Sequence, residues 1–259
     1  MEMKLQSKSM QALLILLPFA AALALWASMS AMEVVPSLFL PPPVQVWDAF
    51  VQMLQNGLIF ESLGVSLLRL CAGWLLGLLL ATCIGWALGM IGWLRRGIQP
   101  LLFPLRFVEP VAWLSLIILW FGTGEMSKLI LLTYASFFGS FLYIMTGVAS
   151  IDEVKIQAAR AMGASGFRLF RTIIVPSTVP SILAGARIGM SYSFLTIVTA
   201  EMMDATSGVG YIIKYGSVYM RMDQIFVGTI LVGLLGIAID YTFRQAIKRI
   251  GRRYFLDQL

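Results

Sequence analysis

Three long stretches without a charged residue constrain the fold of this chain more than any other feature of its sequence. Each stretch exceeds the roughly 20 residues that a helix needs to cross the hydrocarbon core of a bilayer. They are the 24 residues between Lys8 and Glu33, the 25 between Arg69 and Arg95, and the 23 between Lys128 and Asp152. These stretches predict three membrane-spanning helices.

Three further apolar segments are long enough to span a membrane but contain charged residues. They are 101–121 with Arg106 and Glu109, 178–200 with Arg187, and 225–246 with Asp240. The six segments together predict an all-α integral membrane protein with about six transmembrane helices in a single domain, 1–259. A cleaved signal peptide is the alternative interpretation of 9–31, although that apolar stretch is long for one and no clear cleavage motif closes it.

The composition excludes a soluble enzyme. Apolar residues make up 59% of the 259 residues and charged residues only 12%, so the chain has too little polar surface to cover a packed soluble domain. Histidine is absent, which removes histidine-ligated metals and the nucleophile pairs that depend on a histidine base. We therefore expect neither a catalytic site nor a metal site.

The distribution of lysine and arginine predicts the orientation of the helices. If the N-terminus is cytoplasmic, the cytoplasmic segments contain 13 of the 19 basic residues, and the external loops contain only Lys128, Lys214 and Arg221. Cytoplasmic loops of membrane proteins carry such an excess, so both termini are expected in the cytoplasm. Because the basic residues are spread over four separate segments, no nucleic-acid interface is expected. The 13 residues are Lys4, Lys8, Arg95, Arg96, Lys155, Arg160, Arg168, Arg171, Arg244, Lys248, Arg249, Arg252 and Arg253.

Small residues recur at a spacing of four along the second predicted span. Such a stripe lets another helix approach closely, which favours helix association inside lipid. The stripe favours close packing within one subunit over a contact between subunits, and a second such face lies at Gly185 and Gly189. The stripe consists of Gly73, Gly77, Ala81, Gly85 and Gly89.

The cytoplasmic segment between the fourth and fifth predicted spans, 151–176, has the pattern of a helix, a turn and a second helix. Asp152 is a suitable N-cap, and Gly163 can end the first helix in a left-handed conformation. A basic amphipathic helix with Phe167 on its apolar side follows, and Pro176 is expected to mark the turn into the fifth span. This shape is suited to insertion into a groove on another protein, although a linker lying on the inner leaflet fits the residues equally well.

The spacing within this segment closely resembles the EAA loop of bacterial ABC-importer permeases. In order, the matching pattern is Ala158-Ala159, three residues, Gly163, nine residues, Ile173, one residue and Val175-Pro176. Two positions depart from the family pattern. Gln157 stands where the family usually has Glu, and Val175 where Leu is common, so position 157 lacks the carboxylate that could pair with the ATPase.

Other segments resemble the nitrate, sulfonate, taurine and bicarbonate branch of these permeases. They are Glu109-Pro110-Val111-Ala112-Trp113, Ile118-Leu119-Trp120-Phe121-Gly122, Gly124-Glu125, Ser127-Lys128, Ala200-Glu201 and Gly208-Val209-Gly210-Tyr211. The resemblance covers about 60–250 and implies a type I ABC importer (MetI-like) permease fold in the bacterial inner membrane. It further implies a homodimer of permeases on two ABC ATPase subunits, supplied by an extracytoplasmic substrate-binding protein.

The same resemblance implies that segment 151–176 couples the permease to the ATPase. The residues that it implies for this contact are Gln157, Ala158, Ala159, Gly163, Ala164, Phe167 and Pro176. The chain has no nucleotide-binding loop of the form G-x-x-x-x-G-K-[ST], so ATP and Mg are expected on the partner ATPase and no cofactor in this chain. The implied function is import of a small anion such as a sulfonate, taurine, nitrate or a related oxyanion. The alternatives are import of a neutral or cationic nutrient or an aromatic acid by the same architecture, and an ATPase-independent secondary transporter.

Charged residues at membrane depth are candidates for a substrate pathway, because a charge there normally faces protein or water. Arg187 could attract an anion, with Ser191 one turn away and Trp113 as a cavity wall, or it could form an internal ion pair with Glu109 or Asp240. Two pathway candidates, Arg106 and Glu109, are three residues apart and are expected to neutralise each other on one helix face. The last candidate, Glu201, fits a gate contact or, slightly better, a hydrated helix end.

Overall fold

The computed structural model describes residues 8–251, with side chains for 17–247 and 249, and all regular structure in this part of the chain is helical. Lys4, Arg252 and Arg253, which contribute to the predicted orientation, lie outside the described residues, as do the side chains of Lys8 and Lys248. The helices are α1 (Lys8–Ala31), α2 (Pro43–Gln55), α3 (Leu58–Met90), α4 (Gly92–Leu105), a 3-10 helix (Pro110–Trp113), α5 (Leu114–Phe121), α6 (Glu125–Ala149), α7 (Glu153–Ala161), α8 (Gly166–Leu169), a π-helical turn (Phe170–Ile174), α9 (Val175–Asp204), α10 (Val209–Val218) and α11 (Met222–Gly251).

Four helices of the described chain are long and apolar enough to cross a membrane: Leu58–Met90, Glu125–Ala149, Gly166–Asp204 and Met222–Ile247. A fifth crossing is obtained if α4 and the 110–121 helices, which meet at an angle of 88°, form one broken span. The first predicted span, 9–31, coincides with α1, whose side chains are described only from Leu17 onward. The count of six spans therefore stays a prediction.

The stripe of small residues on α3 packs along α6. A Cβ atom added at Gly73 would collide with Leu132, and one added at Gly89 would collide with Val148. From the first contact to the second, the residue number rises by 16 in both helices, so α3 and α6 run parallel. This contact lies within one chain and confirms the interpretation of the stripe as close packing inside the subunit.

The parallel arrangement of α3 and α6 explains the broken helix between them. Because α3 ends at the opposite end of the bundle from the start of α6, segment 91–124 has to cross back through the bundle. It does so as α4 and α5, with the break at 106–109. The apolar segment predicted over 101–121 is therefore broken before Pro110. Pro110 holds Glu109 in an extended conformation (φ −57°, ψ 129°), which a helix cannot continue through.

The second small-residue face packs α9 antiparallel against α6. Gly189 lies against Ser136 and Ser140, and Ser140 Oγ donates a hydrogen bond of 2.9 Å to the carbonyl of Gly185. Gly147, near the end of α6, lies against Ser181, near the start of α9. The central core of the protein thus consists of α3, α6 and α9. Glycine and serine at the contacts allow the backbones of these helices to approach closely.

Helix α2 packs with α10 and the first half of α11 at one end of this core. The prolines at 41–43 separate α1 from α2, and α2 buries Val46, Ala49 and Met53. These side chains form one apolar cluster with Val227 and Leu231 of α11. The opposite end of the core carries the connection from α6 to α9.

Candidate functional site

The connection between α6 and α9 folds as the helix-turn-helix that the sequence predicts. Asp152 caps α7, since its Oδ1 accepts a hydrogen bond of 2.9 Å from the backbone N–H of Val154. Helix α7 ends at Ala161, and Gly163 has a φ of +84°, a left-handed conformation that favours glycine. We call α7, the turn at Gly163 and α8 the elbow.

The elbow presents apolar side chains to its surroundings although α7 and the turn lie outside the helices that are long enough to span a membrane. Val154, Met162 and Phe167 are 68%, 80% and 75% exposed. Ala159, in contrast, is buried and anchors α7 to the protein. Exposed apolar side chains on a segment outside the membrane mark an interaction surface.

The residues predicted for coupling fall into two groups. Gln157, Ala158 and Gly163 are exposed together with Phe167, whereas Ala164 is half-buried. Pro176 is exposed but lies eight or more residues further along the chain, inside the first turn of α9. The elbow therefore brings most of the predicted set to one place and leaves Pro176 apart from it.

The elbow is rigidly joined to the fifth predicted span. Residues Gly166–Asp204 form one helical run of 39 residues, so the expectation that Pro176 marks a turn into the span is wrong. A π-helical turn directly precedes Val175 and Pro176. The helix already departs there from its usual hydrogen-bond pattern, which lets it continue through a proline that has no N–H to donate.

Two contacts of Trp86 join α3 to the beginning of α9 and the π-helical turn before it. The ring of Phe170 meets the ring of Trp86 edge to face at 5.1 Å between centroids. Trp86 Nε1 donates a hydrogen bond of 3.0 Å to the buried hydroxyl of Thr178. The segment that follows the elbow is therefore in contact with both α3 and α9.

A cavity of about 450 Å³ lies between the broken crossing, α6 and α9. Arg106 and Glu109 line it together with Tyr134, Tyr143 and Tyr192. Arg106 follows the last residue of α4 and stacks on Phe107 at 4.9 Å from the ring centroid. Because α4 ends at Leu105, Arg106 and Glu109 do not share a helix face, and no ion pair joins them among the described side chains. The expectation that they neutralise each other is wrong.

Trp113 does not line this cavity but contacts Tyr134, which does. Its ring is 6.2 Å from that of Tyr134, whose hydroxyl donates a hydrogen bond of 2.5 Å to the carbonyl of Leu105. Trp113 thus supports a wall residue and holds it against the end of α4.

Arg187 and Ser191 lie elsewhere, in a groove between α9 and α11. Arg187 Nη2 is 3.1 Å from Asp240 Oδ1, so of the two carboxylates expected as ion-pair partners the structure selects Asp240. Ser191 Oγ donates to the carbonyl of Arg187. Arg187 remains 39% exposed.

Glu201 is buried, with 1% of its surface exposed, and the interpretation as a hydrated helix end is therefore wrong. Its carboxylate accepts hydrogen bonds from Ser66 Oγ at 2.8 Å, Arg69 Nη1 at 2.9 Å and the backbone N–H of Gly210 at 3.0 Å. A Cβ atom at Gly208, whose φ is +116°, would collide with this carboxylate. The loop after α9 is thus folded tightly around Glu201.

Arg69, which the sequence pattern treats only as the start of a span, is the centre of this network. It lies inside α3 with 6% of its surface exposed. Its Nε and Nη2 atoms donate to the two oxygens of Glu125 at 2.6 and 2.5 Å. Lys128, expected in an external loop, is also buried here and donates to the carbonyl of Gly124. The spacing of Ser66 and Arg69 puts both on one face of α3, but it does not identify Glu201 or Glu125 as their partners.

Among the residues searched, no group of three or more acidic or cysteine side chains could hold a metal ion. The arrangement offers no catalytic constellation either. It consists of an exposed elbow at one end, a polar cavity beside α6, and a buried ion network at the other end.

Comparisons with known proteins agree on one family. The family model described as "Binding-protein-dependent transport system inner membrane component" matches residues 73–255. A probable ABC transporter permease protein of Brucella melitensis is 35% identical over 238 residues, which cover 91% of this chain and 94% of that protein. The putative aliphatic sulfonates transport permease protein SsuC of Escherichia coli is 33% identical over 89% of this chain and 88% of its own length. The taurine transport system permease protein TauC of Escherichia coli is 29% identical over 89% of this chain and 86% of its own length.

Proposed function

The chain belongs to the family of binding-protein-dependent transport system inner membrane components, and we propose that it imports a small anion such as a sulfonate, taurine or nitrate across the bacterial inner membrane. The similar proteins SsuC and TauC are named for aliphatic sulfonates and taurine, both of which carry a sulfonate group. Their similarity over nearly the whole chain favours an anion over a neutral or cationic nutrient.

Two copies of the permease form a homodimer in this proposal, and each copy binds one ABC ATPase subunit through its elbow. An extracytoplasmic substrate-binding protein delivers the anion to the other end. ATP and Mg bind the ATPase, and this chain contributes no catalytic group. The observation that carries the proposal is the exposed apolar surface that Val154 on α7, Met162 in the turn and Phe167 on α8 form together.

The helical run Gly166–Asp204 supports a simple mechanism of coupling. When nucleotide closes the ATPase pair, the groove that holds α7 moves, and the elbow moves with it. Trp86 and Phe170 transmit this motion to α3 and α9 together. The far ends of these helices are held to each other by Arg69 and Glu201. A tilt of the helices at the elbow therefore also moves their opposite ends. Nucleotide binding shifts the equilibrium between an orientation open to the outside and one open to the inside.

The cavity beside α6 is the part of the chain best suited to a sulfonate. Its volume of about 450 Å³ falls in the usual range for small-molecule sites. The guanidinium of Arg106 and the hydroxyl of Tyr192 are donors of the kind that an oxyanion needs, whereas the Tyr134 hydroxyl already donates to Leu105. We include Glu109 in this pathway because it lines the cavity, and Trp113 because it packs against the lining residue Tyr134. Arg187, Ser191 and Glu201 do not line this cavity.

Replacing Gly163 by valine tests the docking role. Valine disfavours the left-handed backbone at this position, so the turn of the elbow should change while the spans still insert. We expect at least a tenfold loss of ATPase copurification, or ATP hydrolysis that no longer depends on substrate.

Gly57→Val is the matched control. Gly57 also has a positive φ and no neighbour within 4 Å, but it lies at the start of α3, at the opposite end of the bundle. The control should keep the ATPase bound. Normal copurification and normal uptake with Gly163→Val would contradict the docking role of the elbow.

A further inference from the structure

A groove between α9 and α11 is separate from the cavity of the proposed pathway. It has a volume of about 190 Å³ and is walled mainly by apolar side chains, among them Phe194, Leu195 and Phe243. Gly236 has no side chain to fill the groove. A Cβ atom at this position would lie only 3.0 Å from the ring of Phe194, so any larger residue would occupy the space. The groove is narrow, apolar and open at its side.

Arg187 and Asp240 line the groove, and Arg244 lines an adjoining pocket that shares Asp240 with it. Asp240 accepts from Arg187 at 3.1 Å through one oxygen, and from Arg244 Nη2 at 2.6 Å through the other. Each carboxylate oxygen therefore has an arginine partner. Each guanidinium, by contrast, has five N–H donors, most of which Asp240 cannot reach. The cluster has two positive charges against one negative charge, with unused donors on the positive side.

The surroundings of the cluster are apolar and exposed. Asp240 lies roughly 27 Å along α11 from its start, toward the end that the basic residues place in the cytoplasm. Leu234, Ile237 and Tyr241 of the same helix are 57%, 69% and 64% exposed. Arg187 and Arg244 are 39% and 59% exposed in this setting. A surplus positive charge on an apolar membrane surface is costly unless an anion or water meets it.

We infer that this groove binds an anionic phospholipid of the cytoplasmic leaflet. Its phosphate accepts hydrogen bonds from Arg187 and Arg244, and one acyl chain lies along Phe194 and Gly236. Basic pockets between membrane helices on the cytoplasmic side suit such headgroups. The phosphate neutralises the surplus charge, and the acyl chain covers the apolar walls.

Two other occupants fit the groove less well. A second copy of the chain, docked symmetrically here, would bring two clusters of the same surplus charge toward each other. A transported anion would meet apolar walls along the groove, whereas the cavity beside α6 is lined by Arg106, Tyr143 and Tyr192. The combination of an apolar channel with a cationic end matches a lipid.

Lipid binding is measured with the full-length permease in complex with its ATPase, delipidated and then exposed to vesicles of phosphatidylglycerol or phosphatidylcholine. Retained lipid is counted by native mass spectrometry. We expect the wild type to retain phosphatidylglycerol in preference to phosphatidylcholine. Arg187→Ala and Arg244→Ala should each lower the affinity for phosphatidylglycerol about tenfold, as expected for one charge-assisted hydrogen bond. Asp240 keeps one arginine partner in either variant.

Two further variants separate the parts of the site. Arg249→Ala removes an exposed arginine of the same helix that does not line the groove, and it should leave lipid retention unchanged. Gly236→Leu fills the groove while both arginines stay, and it should lower retention of phosphatidylglycerol to a similar degree. Inorganic phosphate at the same concentration should not compete, because the acyl chain supplies part of the binding.

Three results would overturn the inference. The first is equal retention of phosphatidylglycerol by the wild type, Arg187→Ala and Arg244→Ala. The second is competition by inorganic phosphate, which would assign the arginines to a free anion. The third is loss of anion uptake in Arg187→Ala with lipid retention intact, which would place Arg187 on the substrate pathway. Lipid retention is read without transport, so it can fail while the proposed function stands.

Discussion

Arg69 holds carboxylates from two different helices, and the two differ sharply in their surroundings. Glu201 is 1% exposed and Glu125 is 66% exposed. Removing a partner from a buried ion pair leaves an uncompensated charge and costs far more than removing an exposed one. Glu201 therefore fixes the network, whereas Glu125 adds a contact at its hydrated edge.

Alanine substitutions at these two positions should separate their contributions. We expect Glu201→Ala to lower the free energy of unfolding by about 3–5 kcal/mol and Glu125→Ala by about 1 kcal/mol or less. Thermal unfolding of the purified permease in detergent measures both. Similar losses for the two variants would contradict the assignment of Glu201 as the structural centre of the network.

The role of Glu201 could not be read from the sequence because its partners are distant in the chain. Ser66 and Arg69 are 135 and 132 residues away, and only the packing of α3 beside α9 brings them together. The N-cap at Asp152 and the left-handed Gly163, in contrast, depend on neighbouring residues only. Both were predicted correctly for that reason.

At the scale of helices, the contact of α3 with α6 depends on residues without bulky side chains. A Cβ at Gly77 would lie 2.5 Å from the carbonyl oxygen of Thr133. That atom belongs to the backbone and cannot move aside without shifting the whole of α6. The close approach of these helices therefore requires glycine at this position.

Gly77→Val should separate α3 from α6. We expect a loss of about 3 kcal/mol or more in the free energy of unfolding, because the added atoms meet backbone, and a low yield of folded protein in size-exclusion chromatography. Gly64→Val is the control on the same helix, since nothing lies within 4 Å of a Cβ there. A folded, stable Gly77→Val variant would show that α3 and α6 do not pack as described.

Helix boundaries were harder to predict than helix contacts. Charged residues were taken as the ends of spans, but Arg69 lies inside α3 because Glu201 and Glu125 neutralise it. Proline was taken as the end of a helix at Pro176, where a π-helical turn instead lets the helix continue. Long-range pairing overrides the local pattern in the first case, and a local change of helix type does so in the second.

For the whole molecule, the all-helical membrane class and the family were both predicted and are confirmed by the helices and by the match over 73–255. Hydropathy finds apolar stretches but not the directions of the helices, so the sequence did not predict that α3 and α6 run parallel. The kink that Glu109-Pro110 predicts is present, as the 88° angle between α4 and the 110–121 helices. The elbow, α9 and the network around Arg69 form a continuous mechanical connection between the two ends. Transport in this account depends on a force applied at the elbow.

Uptake of a labelled sulfonate into proteoliposomes tests this dependence most directly. One set of liposomes contains the permease with its ATPase and internal ATP, supplied with the substrate-binding protein outside. A second set contains the permease without the ATPase under an imposed proton or sodium gradient. The account predicts uptake in the first set only, and gradient-driven uptake in the second set would contradict it.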